Sequence, residues 1–470
     1  MFSLINDLGT SFGQLASEIA HFFSGLSSVA SGGHIGLLIL CLLLAFAFEF
    51  VNGFHDTANA VATVIYTNSL KPWPAVIWAG FCNFLGVFIG GTVVAMAIVK
   101  LIPPDLIVSA DLNTSMAFIL SMLLSALIWN LGTWYFGIPA SSSHTLIGAI
   151  LGIGMGHALV TTGSIATGVN WGKAGDVGLA LLVSPLVGFG MGALVLLTLK
   201  LFFRDRRLHT APKPGTPPPW SVRAILIGTS TGVSFAHGSN DGQKGVGLVM
   251  LILIALMPAQ YALKPTADIA QIQQAVSQAA KLPDMLGESY VASLKAKDPS
   301  PTIEISLVRK AIASEPSLSG DLAKIKKVNS NVAELEKRAA LLGAPGANDA
   351  AKLAVRNQIF LLDKSLGDIE KSGSAMARTA QWKEIKKIKA SLVSFTDYVP
   401  LMVLILVAVA LGFGTTIGWK RVVITIGEKI GHNHLTYAQG ASAELVAMGT
   451  IAASTFAGFP VSTTHILSSG

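Results

Sequence analysis

The chain has 470 residues, of which 51% are hydrophobic and only 13% are charged, and its mean hydropathy is +0.60. Soluble proteins carry about 25% charged residues, so this composition excludes an ordinary soluble protein. Several apolar runs reach the ~20 residues that a transmembrane helix requires. The chain is therefore predicted to be an all-α polytopic protein of the lipid bilayer. Most of its net charge of +7 lies between residues 258 and 398, without a basic stripe, so no nucleic-acid partner is expected.

The first transmembrane repeat is predicted over residues 1–203, after a lead-in at 1–33. Its apolar runs predict spans at 35–66, 74–100 and 114–136, a further run to about 160, and a last span at 177–203. The first span is expected to be interrupted near Gly53, because glycine lets a helix unwind. Residues 204–221, rich in Arg and Pro, follow as a linker.

The second series of spans begins at 222–257, with an expected interruption near Gly238, and continues over 398–470. Between these parts, residues 258–397 break the membrane pattern. Apolar residues recur there every three to four positions among charged ones, as in residues 321–328, which is typical of soluble amphipathic helices. The segment is predicted to be a soluble helical insertion, and it contains no histidine and no nucleophile motif.

Two short polar motifs at membrane depth repeat each other: Gly53-Phe-His-Asp56 and Gly238-Ser-Asn-Asp241. Ionisable groups in hydrocarbon are expensive and usually face a cavity or an ion path. Asp56 and Asp241, together with His55, are therefore predicted to bind a coupling ion. The same carboxylates are hard oxygen ligands for a metal ion. The alternative is a structural ion pair, for which Lys244 is the available partner.

Two further blocks of sequence are also duplicated. Residues 80–86 match residues 412–418, and the segment 137–144 (Gly-Ile-Pro-Ala-Ser-Ser-Ser-His) matches 458–465 (Gly-Phe-Pro-Val-Ser-Thr-Thr-His). Three matched blocks in the same order indicate an internal duplication. The hydroxyl groups of the last pair either cap helices or donate hydrogen bonds to an oxyanion. These candidate ligands are Ser141, Ser142, Ser143, Ser462, Thr463 and Thr464.

The basic residues predict how the repeats are oriented. Lys and Arg are concentrated at 200–223 and at 420–429, and such residues in short loops mark the cytoplasm. A single crossing by 222–257 places both loops inside and the insertion outside, whereas a re-entrant hairpin would place 420–434 on the wrong side. The two repeats then have opposite topology. Inverted repeats with broken or re-entrant helices, which meet near the middle of the membrane, are the architecture of secondary transporters.

Two further ionisable residues lie within apolar spans. Glu49 and Glu444 are each candidates to carry a coupling proton or ion, because a carboxyl group in a membrane span is seldom placed there without a function.

In these motifs the chain resembles the PiT family of inorganic phosphate transporters, specifically the bacterial low-affinity Pit type. The resemblance rests on residues 53–60, 139–144, 238–245 and 460–465, in that order. It implies phosphate held between the repeats and a multi-pass protein of the bacterial inner membrane. For this branch it implies proton symport of phosphate, often as a metal–phosphate complex. His55 stands where the family pattern has asparagine, as in the bacterial branch, while sodium coupling occurs elsewhere in the family.

The resemblance also implies helices beyond His465 equivalent to those after His144. About fifty residues of the second repeat are absent by that count, so the chain is expected to be truncated at its C-terminus.

We therefore predict a secondary active symporter for inorganic phosphate, not an enzyme, without a cofactor other than the co-transported proton or sodium ion. Asn59, Asn240, Gln243 and Lys244 join the hydroxyl groups as predicted substrate ligands. The sequence leaves open a sodium-coupled phosphate or sulfate transporter, and a membrane receptor or enzyme that uses residues 258–397. It also leaves open a divalent metal ion travelling with phosphate and a homodimer.

Overall fold

The computed structural model describes residues 2–29, 32–101, 112–212, 215–296, 305–314, 318, 320–343, 349–426 and 435–470. In these residues the secondary structure is entirely helical, which confirms the predicted fold class. The chain divides into two compact units. The membrane unit comprises Met1–Leu256 and Val399–Gly470, and the insertion unit comprises Met257–Tyr398. Lys213 and Lys429 of the two basic loops lie outside the described residues.

The first part of the membrane unit contains eight described α-helices. They are α1 (Phe2–Gly25), α2 (Gly32–Tyr66), α3 (Pro72–Ile89), α4 (Val93–Val99), α5 (Leu112–Tyr135), α6 (Ser142–Thr162), α7 (Trp171–Phe202) and α8 (Trp220–Leu256). Five described helices, namely α2, α3, α5, α6 and α7, are long and apolar enough to cross a membrane. On α7 the side chains of Leu182, Leu186 and Phe189 are about 70% exposed, which is the surface expected to face lipid.

The insertion unit is a bundle of amphipathic helices with its own apolar core. Its described helices are α9 (Pro258–Tyr261), α10 (Ile269–Ala279), α11 (Leu282–Lys295), α12 (Ile305–Ser314), α13 (Gly320–Ala340), α14 (Asp349–Lys371) and α15 (Gln381–Val393). Arg356 of α14 joins the two ends of the unit, because Nη1 donates to the carbonyl oxygens of Ala262 (2.9 Å) and Thr396 (2.8 Å). Burial lowers the pKa of the Arg356 guanidinium, and the nearby Asp397 opposes that shift. Neighbouring ends are what a domain inserted into another chain requires.

The membrane unit then continues with α16 (Leu401–Thr416), α17 (Lys420–Ile424), α18 (Tyr437–Phe456) and α19 (Thr463–Ser469). The predicted span 74–100 is corrected, since it is divided into α3 and α4 at residues 90–92. The remaining predicted spans of the first repeat correspond to α2, α5, α6 and α7.

The predicted interruptions near Gly53 and Gly238 are wrong. The helices α2 and α8 run continuously through both glycines, over 35 and 37 residues. Each glycine instead admits a neighbouring backbone: a Cβ on Gly53 would lie 2.5 Å from the carbonyl oxygen of Leu411, and one on Gly238 would collide with the backbone of Asn83. Both residues therefore serve close helix packing, which small residues permit in membrane proteins. A continuous α8 agrees with a single crossing by 222–257.

The breaks in helical structure lie elsewhere, at the tips of two hairpins. In the first hairpin α5 and α6 are joined by residues 136–141, and in the second α18 and α19 are joined by residues 457–462. The two tips meet, because Ser143 Oγ donates to the carbonyl oxygen of Val461 at 2.6 Å and the rings of His144 and His465 are 4.9 Å apart.

The contacts of the two repeats are related by an approximate twofold axis. The packing of α2 on α16 is repeated by α8 on α3. Each hairpin tip also places a hydroxyl oxygen near a carbonyl oxygen of the other tip, Ser143 Oγ at 2.6 Å from Val461 O and Thr464 Oγ1 at 3.4 Å from Ala140 O. The equivalent residues Asn83 and Thr415 bond to each other across the axis, with Asn83 Nδ2 donating to Thr415 Oγ1 at 2.8 Å. The duplication seen in the sequence is therefore also a symmetry of the packing.

The glycine contact predicts a difference between two positions of α2. Gly53→Ala places a Cβ against the backbone of α16, whereas nothing lies within 4 Å of a Cβ at Gly36. We expect Gly53→Ala to lower stability, since overpacking costs about 1–3 kcal/mol. Gly36→Ala should be neutral or stabilising, because Ala favours a helix by about 0.5–1 kcal/mol. Thermal unfolding of the purified proteins in detergent tests this, and equal midpoints would contradict the packing role.

Candidate functional site

Two buried carboxylates, one from each repeat, form the centre of the site. Asp56 of α2 is 2% exposed and Asp241 of α8 is completely buried. The hydroxyl of Ser142 lies between them, 3.5 Å from Asp56 Oδ2 and 3.4 Å from Asp241 Oδ2. The tertiary structure therefore brings these two acidic residues together, although they lie far apart in the sequence.

Each carboxylate is held by a residue three positions later on its own helix. Asn59 Nδ2 donates to Asp56 Oδ1 at 2.7 Å, and at the equivalent position Lys244 Nζ lies 2.7 Å from Asp241 Oδ1. The ion pair considered from the sequence is thus present. Because one partner is a neutral amide and the other an ammonium group, the two halves of the site differ in charge although their geometry is related.

Both hairpin tips complete this arrangement. Thr464 Oγ1 donates to Asp56 Oδ1 at 2.7 Å, and Lys244 Nζ donates to Ser143 Oγ and, at 3.3 Å, to the carbonyl oxygen of Val461. The hairpin of one repeat therefore contacts the long helix of the other. Any relative motion of the hairpins would change the hydrogen bonds of both carboxylates.

His237 of α8 joins the two repeats beside the carboxylates. Its Nε2 is 3.1 Å from Asp56 Oδ2 and 3.5 Å from Asp241 Oδ2, and its Nδ1 is 3.0 Å from Asn83 Oδ1. The Asn83 amide is oriented by Thr415, whose hydroxyl donates to Leu411 O and so accepts from Asn83 Nδ2. Both ring nitrogens therefore face acceptors. A neutral imidazole has only one N–H, so beside two ionised carboxylates this arrangement requires the doubly protonated ring.

The predicted hydroxyl groups divide their roles by position. The first of each triplet caps a helix: Ser141 Oγ accepts from the backbone N–H of His144 and Ser462 Oγ from that of His465. The later hydroxyls face the site, as the contacts of Ser142, Ser143 and Thr464 show. Thr463 is also buried, at the start of α19. Capping and site contacts, which the sequence offered as alternatives, are both realised.

A cavity of about 490 Å³ lies beside the hairpin tips. Its lining includes Ser141 at the N-terminus of α6, together with His144 and His465. The N-terminal end of α6 therefore borders open space on one side and the buried carboxylates on the other.

Three predicted site residues lie differently from the central group. Asn240 is engaged in holding the second hairpin, where Nδ2 donates to Thr455 Oγ1 (3.0 Å) and Oδ1 accepts from the backbone of Val461 (3.3 Å). His55 is directed to α5, with Nε2 2.6 Å from the carbonyl oxygen of Asn130. Gln243 is completely buried, and neither amide atom has a hydrogen-bond partner among the described residues.

The two glutamates named from the sequence are both completely buried. Asn52 Nδ2 donates weakly to Glu49 Oε2 at 3.4 Å, and Thr229 Oγ1 donates to Glu444 Oε2 at 2.5 Å. The other carboxyl oxygen of each, Oε1, has no hydrogen-bond partner in the described part of the chain. Neither residue therefore belongs to a closed structural network.

Asp56, His237 and Asp241 also form the one described group of three that could hold a metal ion, with ligand atoms within 4.8 Å of one another. Their donor set of two carboxylates and one imidazole suits a transition metal better than Mg²⁺, which prefers oxygen ligands. A metal ion bound there would have to replace the proton that His237 Nε2 directs at the carboxylates.

Sequence reasoning missed His237, Asn83 and Thr415. His237 directly precedes Gly238, and the motif comparison started at the glycine. Asn83 and Thr415 each follow the first glycine of a matched block by three residues, so polarity at equivalent positions was a visible signal.

The buried ion pair predicts a coupled effect on stability. Lys244→Met leaves Asp241 without its closest cation, which we expect to destabilise the protein by about 3–5 kcal/mol. Adding Asp241→Asn should restore part of that loss, because the unpaired charge is removed as well. Thermal unfolding of the wild type, both single variants and the double variant measures the coupling. Strictly additive effects would show that Lys244 does not stabilise Asp241.

Nearly the whole chain is similar to known proteins of one family. A family model described as "Phosphate transporter family" matches residues 52–470. The low-affinity inorganic phosphate transporter PitA of Escherichia coli K12 is 40% identical over 468 residues, covering 96% of this chain and 90% of PitA. PitB of the same strain is 38% identical over 457 residues, covering 92% of this chain and 88% of PitB.

A probable low-affinity inorganic phosphate transporter of Bacillus subtilis is 38% identical over 218 residues, which covers 46% of this chain and 60% of that protein. Among solved structures, one titled "The sodium-dependent phosphate transporter" matches with a TM-score of 0.46 and 20% identity, over 92% of this chain and 88% of the other.

Proposed function

The chain belongs to the phosphate transporter family, and we propose that it is a secondary symporter that moves inorganic phosphate across the membrane, driven by a proton gradient. The relatives named as low-affinity inorganic phosphate transporters support the substrate. The observation that carries the proposal is the meeting of Asp56 and Asp241, one from each repeat, beside hydroxyl groups, Lys244 and His237.

The charges of this group support coupling to a cation. Two carboxylates face one permanent cation, Lys244, and are balanced only while His237 is protonated; all four side chains are buried. A phosphate anion that enters this group adds negative charge that no further described side chain there compensates. Because uncompensated charge in a low-dielectric interior is costly, phosphate binding is favoured only when positive charge enters with it. Symport is the direct consequence of that requirement.

The donors for phosphate are supplied mainly by the first hairpin. Ser142 and Ser143 lie at the N-terminus of α6, where backbone N–H groups and the helix dipole favour an anion. Lys244 adds an ammonium group, and the unpartnered amide of Gln243 can donate to a phosphate oxygen. Phosphate would displace the hydroxyl groups from the carboxylates. Its oxygens would then accept the hydrogen bonds that these hydroxyl groups donate.

The contacts of His237 favour a proton over sodium as the coupling ion. Both nitrogens of the imidazole are directed at acceptor oxygens, so each nitrogen needs a proton to form a hydrogen bond there. Sodium coupling, and sulfate as a competing oxyanion, are the alternatives that the experiment below separates. A divalent metal ion carried with phosphate would be part of the cargo and would lie beside Asp56 and Asp241.

The proposed location is the bacterial inner membrane, with multiple crossings, and the proposed activity is transport without catalysis. The insertion unit is then an accessory to the membrane unit. Its described surface carries ion pairs such as Arg309 with Asp284 and Lys386 with Glu370, which suit a solvated helical bundle.

Uptake into proteoliposomes tests the function. With an imposed inward proton gradient we expect labelled phosphate to accumulate, and with a sodium gradient of equal size we expect none. The reason is that a proton, rather than sodium, fits the contacts of His237. Magnesium in the outer medium should raise the rate if metal–phosphate is the cargo, and excess sulfate should not compete. Accumulation with the sodium gradient alone would show that sodium, not the proton, is the coupling ion. No accumulation with either gradient would refute symport.

The two carboxylates should be separately essential. Asp56→Asn and Asp241→Asn each remove one charge from the group, and we expect each to lower uptake at least a hundredfold while the protein remains folded in the membrane. Asp205→Asn, in the linker after α7, is the control and should leave uptake unchanged. Initial rates normalised to protein content measure the effect. Wild-type rates in both site variants would contradict the assignment.

A further inference from the structure

A second cavity of the membrane unit lies away from the two carboxylates, where α3 begins and where α5 and α16 end. Its volume is about 420 Å³. The lining includes three tryptophans and two cationic residues, namely Trp73, Trp134, Trp419, Lys420 and Arg421. Tryptophan is enriched where membrane helices meet water, and cationic side chains reach the same level. We refer to this space as the tryptophan cavity.

The polar side chains that line the tryptophan cavity are all hydrogen-bond donors. They are the indole N–H groups of the three tryptophans, the ammonium group of Lys420 and the guanidinium group of Arg421. None of these groups can accept a hydrogen bond. Among the described residues that line the cavity, none is acidic. A ligand that fits this lining therefore brings acceptor oxygens and a negative charge.

The cationic end of the cavity is held in place by α5. Trp134 Nε1 donates to the carbonyl oxygen of Gly418 at 2.8 Å, and Arg421 Nη1 donates to that of Tyr135 at 2.6 Å. The guanidinium carbon of Arg421 lies 5.1 Å from the ring centre of Trp134 and 5.0 Å from that of Tyr135. Such cation–π contacts fix the guanidinium group. The positive charge is therefore positioned before any ligand binds.

Several donors of the cavity remain available to a ligand. Lys420 is exposed, and in the part of the chain that the structure describes its ammonium group has no hydrogen-bond or ion-pair partner. Arg421 uses one of its five N–H groups for the carbonyl oxygen of Tyr135. The rings of Trp73 and Trp419 meet edge to face, with their centroids 6.5 Å apart. A guanidinium group and an ammonium group beside each other suit a phosphate group.

An exposed apolar surface adjoins the cavity on two helices. On α3, Ile77 follows Trp73 by one helical turn and so lies on the same side of the helix. Phe413 of α16 precedes Ile417 by the same interval, and all four side chains are more than half exposed. A free anion would gain nothing from this surface. The acyl chains of a lipid would cover it, so the surface favours a phosphate group that belongs to a lipid.

The predicted orientation agrees with a lipid ligand. Both cations belong to the basic segment 420–429, which the positive-inside rule assigns to the cytoplasmic side. Anionic phospholipids give that side of the membrane a negative surface potential, and basic pockets between membrane helices there bind lipid headgroups.

We therefore propose that the tryptophan cavity binds the phosphate group of an anionic phospholipid, with its acyl chains on the exposed faces of α3 and α16. Lys420 and Arg421 contact the phosphate oxygens, and the rings of Trp73 and Trp419 border the headgroup. This site is separate from Asp56 and Asp241, and it does not depend on the symport proposed above.

The affinity of the purified full chain for phosphatidylglycerol, measured in detergent by native mass spectrometry, tests the site. Lys420→Gln should weaken binding about fivefold, and Lys420→Gln combined with Arg421→Gln about thirtyfold, because each cation near the surface contributes a factor of about five. Phosphatidylcholine with the same acyl chains should bind the wild type more weakly. The two substitutions should leave its affinity unchanged, since its headgroup has no net charge.

The matched control is Lys200→Gln, which removes the same charge from an exposed position near the end of α7 and should leave phosphatidylglycerol binding unchanged. If the double variant does not fold, Lys420→Gln alone serves, because Lys420 has no described partner to lose. Unchanged phosphatidylglycerol affinity in the Lys420 variants would overturn the proposal. So would an equal loss in Lys200→Gln, since it would show a diffuse attraction to surface charge. Displacement of the lipid by inorganic phosphate would assign the cavity to a free anion and overturn it as well.

Discussion

The structure of the membrane unit depends on the burial of Asp56 and Asp241 between its two repeats. Such charges are tolerated in an apolar interior only when cations and hydrogen-bond donors surround them. His237 and Lys244 supply the cations, and the tips of both hairpins supply hydroxyl groups. Those partners come from three separate parts of the chain, so the need to satisfy the two carboxylates holds the long helices and the hairpins in one arrangement.

The approximate twofold axis provides the geometry of the site, whereas the differences between the repeats provide its chemistry. Equivalent contacts place Asn59 and Lys244 beside the two carboxylates at the same distance of 2.7 Å. One of these residues is neutral and the other is cationic. In the same way Asn52 in the first repeat corresponds to His237 in the second. The two halves of a symmetric scaffold therefore differ in charge, because they carry different side chains at a few equivalent positions.

Helix packing explains the most instructive error of the sequence interpretation. A glycine in a membrane helix either lets the helix break or lets another backbone approach, and both uses have the same local sequence. Gly53 and Gly238 were predicted to interrupt their helices, but α2 and α8 are continuous and pack closely on α16 and α3. Without knowledge of the neighbouring helix, nothing in the sequence around either glycine distinguishes the two uses. The actual interruptions occur at the proline-containing hairpin tips.

The sequence by itself determined the membrane class, the duplication, the separate character of the insertion and the acidic motifs, because hydropathy and repeated spacing are properties of the linear chain. Only the tertiary structure decided which side chains meet. It directed His55 to α5, placed His237 between the carboxylates, and brought the hydroxyl of Thr229 to Glu444. Contacts in this region join residues up to 408 positions apart, as between Thr464 and Asp56. They follow from how the helices of two inverted repeats pack, which no local pattern records.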